Sequence, residues 1–410
     1  MAKKKLIIIG GGMSGMVSAI IAAEAGAKVT LLERNDKIGK KLLVTGNGRC
    51  NISNQFVGPE KYHSRTDNIF EKIYRQFDLM KTRDFLTSIG IDLVELEDGK
   101  LYPQSLQAVS VVKALLYRAE EVGVEIHYHQ RVLDIEYTNK FRIQGDEQTY
   151  YGDYLIVATG GKSYADSGSS GDGYEIAKRF GHHIIEPMPS IVQLVTDNSY
   201  SKSLKGLKIN AKTQLINRDT QALLREESGE VLFTEYGLSG PAILQLSTLV
   251  APLLKEKVGL TVAIDFFPKD SIDDIDAGLM TRFQRFPSRL AEQVFNGYIN
   301  QRLIIPLFKY AQVDHMKQAG NLTKEERIRL VHALKNYHHK VEDTYLWNQA
   351  QVTKGGVSCL EIDPTSLESK LQEKLYFIGE VVDIDGDCGG YNLQWAISSG
   401  AFVSQHIANA

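Results

Sequence analysis

Cysteine is scarce in this chain. Cys50, Cys359 and Cys388 are an odd number with no C-x-x-C spacing. That pattern excludes a disulfide framework and a zinc ribbon, and it fits a reducing cytoplasm. Long apolar runs are missing too. Lys3-Lys4-Lys5 followed by Leu6-Ile7-Ile8-Ile9 has the flavour of a signal peptide, but the apolar run stops at Gly10 after four residues. A secretory core needs about twice that, and a membrane span needs roughly eighteen residues. Charge of one sign is also lacking. The net charge is −3 over 410 residues, which gives no electrostatic reason to expect a nucleic-acid partner. Metal spacing is absent: the ten histidines place no pair on one helix face, and His182-His183 and His338-His339 read as solvated. Asp383-x-Asp385-Gly386-Asp387 starts like a calcium loop. The glutamate required at loop position twelve is Gln394 here, so that reading fails.

Glycine is abundant where chemistry needs it. Lys5 to Ile9 reads as a buried strand, followed by Gly10-Gly11-Gly12-Met13-Ser14-Gly15 and a small-residue helix to Gly26. A second strand, Lys28 to Leu32, ends in Glu33. This is the strand, G-x-G-x-x-G, helix, strand, acid order of a dinucleotide site. Gly10 permits the turn, Gly12 lets the backbone approach a pyrophosphate, and Gly15 lets the helix pack on the strand. The first helical residues, Met13 and Ser14, offer free N–H groups and a partial positive charge. Glu33 can accept from ribose hydroxyls, and its charge repels a 2′-phosphate, so the site suits FAD or NAD and not NADP. Arg34 reads equally as an adenine neighbour or a surface cation.

A second glycine-rich stretch runs from Gly39 to Asn54. Lys41 and Thr45-Gly46-Asn47-Gly48-Arg49-Cys50-Asn51 supply many backbone donors, suited to a diphosphate or a flavin edge. Val124–Tyr128, Val132–Tyr137, Phe141–Gln144 and Gln148–Tyr151 read as a meander of short strands, with Val132 placed for adenine. Tyr154 to Val157 reads as a buried strand that ends in Ala158-Thr159-Gly160 at a nucleotide-bearing sheet edge. Ser167 to Gly173 is expected to cap a helix from Tyr174 to Phe180.

From about Pro187 the character changes. Residues 191–270 are β-rich, residues 271–352 look helical, and Thr323-Lys324-Glu325-Glu326 is a capping box. Strand and glycine chemistry then returns in Leu375 to Asp383 and Gly386 to Leu393. The expected architecture is α/β: a Rossmann-like FAD-binding domain of the glutathione-reductase type (1–190 and 353–410), interrupted by a substrate domain (191–352). One glycine loop suffices for NAD. A second one at the far end suits FAD, whose flavin lies far from its adenine. Gly379, Glu380, Asp387, Gly390, Tyr391, Asn392 and Leu393 are therefore read as flavin-side residues. No second complete G-x-G-x-x-G with a following acid exists, which leaves NAD(P)H at most a transient reductant.

Gly10–Gly15, Thr45–Asn51, Tyr102-Pro103-Gln104-Ser105, Leu232–Pro241, Val352-Thr353-Lys354-Gly355-Gly356-Val357 and Gly379–Asn392 resemble the bacterial aminoacetone oxidase and bile-acid reductase-like flavoproteins. The matching segments span nearly the whole chain, and the second and last are highly specific. The resemblance implies noncovalent FAD and an insertion with a small barrel and a helical piece. It also implies a small-molecule substrate, with amino-ketone oxidation and reduction of conjugated ketones both represented. The chain departs at Glu235, where the family often has His. Glu235, Tyr236, Asn51 and Cys50 are the candidate acid–base groups. Phe233 to Pro241 reads either as a loop over the flavin or as a tight turn entering a helix. Alternatives to the small-molecule oxidoreductase are a flavin-dependent tRNA-modifying enzyme, which a basic face on the insertion would favour, and an FAD sensor without turnover.

Overall fold

A computed structural model describes residues 3–197 and 201–409. The chain divides into two compact units, residues 1–189 with 347–410, and residues 190–346.

In the first unit, five parallel strands run in the order Leu375–Phe377, Tyr154–Val157, Lys5–Ile9, Lys28–Leu32, Glu125–His127. The Ile, Leu and Val side chains of the first four are buried on both faces, as a parallel sheet between helices requires, and Ile126 of the edge strand is half-buried. The sheet therefore mixes the first and last parts of the chain. Glu125–His127 belongs to this sheet as its edge. The expected four-strand meander is a three-strand one, Val132–Tyr137, Phe141–Gly145 and Thr149–Gly152. The helix Asp172–Arg179 begins two residues earlier than expected and is capped from within the Ser167–Gly173 loop, by left-handed Gly171 and without a side-chain hydrogen bond.

The C-terminal helix Tyr391–Asn409 lies against the first helix, Met13–Glu24. Small residues set this approach. A Cβ on Gly400 would sit 2.5 Å from the Ser14 carbonyl oxygen, and the Ser18 and Ser404 hydroxyls meet at 2.7 Å.

The second unit contains a closed six-strand barrel: Leu194–Thr196, Gly237–Ser239, Leu223–Phe233, Lys208–Asn217, Leu260–Asp265 and Tyr337–Thr344. Its closing strand, Tyr337–Thr344, arises inside the stretch read as helical. The Thr323 capping box is present, with Thr323 accepting from the Glu326 N–H. Gly237–Ser239 is a barrel strand that runs into the helix Pro241–Leu246, which is the tight-turn reading of that segment. Two of the four histidines read as solvated are buried, His182 and His339.

Candidate cofactor site

All five parallel strands deliver their carboxyl ends to one edge, where Gly10, Glu33, Ala158 and Ile378 follow in sequence. Open α/β sheets bind ligands there. Gly10 has φ +108°, and a Cβ on it would lie 2.5 Å from the Ala158 carbonyl oxygen. A Cβ on Gly15 would lie 1.9 Å from the Gly10 carbonyl oxygen, so the helix rests directly on the strand end. Gly12 is different. A Cβ there would meet nothing within 4 Å, and Gly12 caps the helix with no side-chain hydrogen bond. Protein packing does not require glycine at this position; an open cradle over a helix N-terminus does.

Glu33 is buried and held in place. Its Oε2 accepts from the Gly11 N–H at 2.8 Å, and its Oε1 accepts from the Asn35 N–H and Nδ2, each at 2.8 Å. Arg34 is neither free nor fully exposed. Its Nη1 donates to Ser170 Oγ at 2.6 Å and to Asp172 Oδ2 at 3.0 Å. Val132, with Arg131, Asp172 and Arg179, lines a cleft of about 570 Å³.

The far end of the chain meets the front at Gly379. A Cβ there would fall 2.7 Å from Ser14 Oγ; the Gly379 N–H donates to Ser399 Oγ, and its carbonyl accepts from Trp395 Nε1. The next residue, Glu380, joins three further segments. Its Oε2 accepts from Lys41 Nζ at 2.6 Å, and its Oε1 accepts from Ser163 Oγ at 3.0 Å and the Thr353 N–H at 2.7 Å. Beside it, Gly160 and Thr159 pack tightly against Ser169 and Gly173.

Gly46, Asn47, Gly48 and Cys50 all have left-handed backbone, and the Arg49 guanidinium stands 5.1 Å over the Tyr102 ring. Left-handed Asn and Cys carry strain, which clusters at functional loops. Thr45 Oγ1 donates to the Leu42 carbonyl. This segment packs on the tail turn. A Cβ on Gly390 would lie 2.3 Å from the Ser53 carbonyl oxygen and 2.8 Å from Asn51 Oδ1, and Asn54 Nδ2 donates to the Gly389 carbonyl. Asn392 closes the turn by exchanging hydrogen bonds with both backbone groups of Gly386.

The model of the HI0933-like protein Rossmann domain matches residues 4–406. The chain belongs to the HI0933-like family. This HI0933-like chain is 34% identical to a 3-dehydro-bile acid delta(4,6)-reductase of Clostridium scindens over 405 residues, 98% of each chain. It is 30% identical over 407 residues to a ribosomal RNA dihydrouridine synthase of Escherichia coli, again 98% of each. Among solved structures it resembles a 3-ketosteroid delta1-dehydrogenase of Sterolibacterium denitrificans, with a TM-score of 0.52, 11% identity and full coverage of both chains; at that identity the likeness is one of fold.

The four acid–base candidates of this HI0933-like chain are split, Cys50 and Asn51 in one unit, Glu235 and Tyr236 in the other. Burial pushes the Cys50 thiol up to about 12, so it stays protonated, and the described cysteines form no disulfide with one another. Glu235 is exposed and paired with Lys205 at 2.6 Å, which lowers its carboxyl and leaves no proton on it at neutral pH. Tyr236 stacks on Tyr345 with centroids 3.8 Å apart, and burial raises its hydroxyl. Asn51 has no titratable proton.

Sequence reasoning missed a buried charged group beside the tail turn. Lys354 Nζ meets Asp385 Oδ1 at 2.8 Å, with side chains 7% and 1% exposed. Asp383 Oδ2 accepts from Ser64 Oγ, the Arg65 N–H and Thr66 Oγ1. Burial raises both carboxyls, against the pull of Lys354. His63 Nε2 meets Asp387 Oδ1 at 2.9 Å. The available signal was the apolar frame around the acids: Val381, Val382 and Ile384 surround Asp383 and precede Asp385, which marks a buried segment more than a solvated loop. Among the described residues no group of three His, Cys, Asp or Glu can hold a metal, and no helix is long and apolar enough to cross a membrane.

Proposed function

We propose that this chain is an FAD-dependent oxidoreductase that transfers hydride between flavin N5 and a carbon–carbon double bond conjugated to a carbonyl. The observation that carries the reading is the open cradle at Gly12 joined through Ser14 to the Gly379 turn, so that two glycine elements from opposite ends of the chain share one sheet edge. Gly10, Gly12, Met13, Ser14 and Gly15 would hold the pyrophosphate. Glu33, Arg34 and Val132 would flank the adenosine. Lys41, Ala158, Thr159, Gly160, Gly379 and Glu380 would line the middle of the cofactor. Thr45 to Cys50, Asp387 and Gly390 to Leu393 would hold the flavin.

The flavin supplies two-electron chemistry; the chain supplies position and field. The N-terminus of helix Tyr391–Asn409 favours negative charge by roughly 0.3–1 kcal/mol. At about 30 mV per 1.4 kcal/mol, that moves a two-electron potential by only some 6–20 mV. It tunes the cofactor and does not select the reaction.

The two named relatives support the substrate class. A Δ4 bond beside a 3-keto group is a conjugated enone. Dihydrouridine differs from uridine by two hydrogens across a double bond conjugated to a ring carbonyl. Purified protein should therefore carry the visible flavin absorption band, bleach anaerobically with NADH, NADPH or dithionite, and regain colour with a conjugated ketone. Protein that gains no flavin band after incubation with FAD would sink the reading.

RNA as the carrier of the double bond is the second reading, and one observation favours it. At the end of helix Ile272–Arg285, Arg282 stands 4.3 Å over the Tyr298 ring, and Arg285 and Arg289 stand 5.7 and 4.1 Å over Phe286. None of the three makes an ion pair among the described residues. Arginine interleaved with aromatic rings suits nucleic acid. Replacing all three with glutamine should weaken ribosomal RNA binding and reduce its salt slope by about one per lost phosphate contact. Unchanged binding and slope would retire the RNA surface.

A further inference from the structure

The short strand Tyr62–His63 runs antiparallel to Asp385–Gly386, with His63 opposite Asp385. The Asp387 N–H donates to the Lys61 carbonyl at 2.9 Å. Tyr62 locks this arrangement: its ring stacks on Phe70, and its hydroxyl donates to the Tyr391 carbonyl at 2.9 Å. His63 is thus fixed beside the turn that opens the C-terminal helix. Its Nε2 lies 2.9 Å from Asp387 Oδ1; the Asp387 side chain is 5% exposed and that of His63 is 33% exposed. A buried carboxylate that holds one ring nitrogen sets the orientation and tautomer and leaves the other nitrogen for proton exchange. Around it, Lys354 pairs with Asp385, and the Asp387 carboxylate contacts the His63 ring. On its own segment, Glu60 and Lys61 flank it. Neither Cys50, which is buried, nor Glu235, which is exposed and paired with Lys205, combines partial exposure with a ring held by a buried carboxylate.

We propose that His63, oriented by Asp387, is the catalytic acid–base residue of this site. The proposal rests on the reductase reading above. In the reducing direction a bound reduced flavin would supply the hydride for the β-carbon of the substrate, and His63 would deliver its proton to the α-carbon. The π bond would be replaced by two C–H bonds, with both electrons drawn from the flavin as hydride, and the His63 imidazole would regain its proton from water. A nicotinamide or another two-electron donor restores the reduced flavin.

The test uses anaerobically reduced full-length protein mixed with cyclohexenone and with androstenedione. His63→Ala should keep the wild-type flavin content and midpoint potential, while flavin reoxidation by these ketones slows by about 10²–10⁴-fold. Added imidazole should restore part of the rate. Asp387→Asn, which keeps the shape and loses the charge, should slow reoxidation less and gain nothing from imidazole. Reoxidation of His63→Ala at the wild-type rate overturns the assignment and leaves the reductase reading standing. Wild-type reduced flavin that neither ketone reoxidises overturns both. If His63→Ala loses flavin, His63→Gln decides: retained flavin with slow reoxidation supports proton transfer, and lost flavin assigns His63 to cofactor binding and overturns it.

Discussion

Lys354→Ala should destabilise the protein by about 3–5 kcal/mol, the usual effect of breaking a buried ion pair. The ammonium and the Asp385 carboxylate are 2.8 Å apart and almost fully buried. Removing the cation strands Asp385, whose Oδ2 already has no partner among the described residues, next to Asp383, which burial also pushes up. A stranded carboxylate takes up a proton, so the loss should be largest at neutral and higher pH and shrink in acid. The paired change Lys354→Met with Asp385→Leu should cost far less, because both desolvation penalties vanish together. Urea unfolding of the three proteins measures this. A loss of only ~0.5 kcal/mol for Lys354→Ala, the scale of surface substitutions, would refute the buried-pair account.

Acid should weaken the barrel unit through His339. Its ring is 3% exposed, packed near Phe233 and Tyr337, and burial lowers it from 6.5 to about 4. The folded state therefore holds His339 neutral where the unfolded chain binds a proton. This stabilisation is complete above about pH 6.5 and is lost progressively as pH falls toward 4. The loss totals on the order of 3 kcal/mol. His339→Phe should flatten that part of the stability–pH curve. Unfolding midpoints taken from neutral pH down to about 4 check it; identical slopes in both proteins would mean that His339 is hydrated in the fold.

The elements legible in the sequence were those whose signal is local. Lys5 to Glu33 states its turn, its close approaches and its helix in one unbroken stretch, and Gly379 to Leu393 does the same. The FAD-type sheet and the barrel-bearing insertion were expected and found. Signals that depend on partners far along the chain were lost. Tyr337–Thr344 alternates buried and exposed residues, but its exposed face is His338, Lys340 and Glu342, and a polar strand beside helices reads as more helix. His182 looks like a surface residue until Ser369 and Glu361 come alongside. Lys354 and Asp385 are thirty-one residues apart, and no spacing rule links them. The candidate glycines and the acids Glu33 and Glu380 could be named from local sequence, whereas the Lys354–Asp385 pair could not, because a buried charge outside a motif is explained only by its partner.

The order of strands in the sheet has a consequence for synthesis. Tyr154–Val157 emerges from the ribosome with Lys5–Ile9 already available on one side, but its other neighbour, Leu375–Phe377, is made only near the end of the chain. At about 5–20 residues per second the gap lasts roughly 10–40 s. Through that time a strand of Leu155, Ile156 and Val157 presents an unpaired apolar edge, the kind that recruits other chains. The barrel unit, whose residues are contiguous, can close first. The nascent first unit keeps that edge open until Leu375–Phe377 arrives to cover it, so slower synthesis of the intervening residues lengthens its exposure.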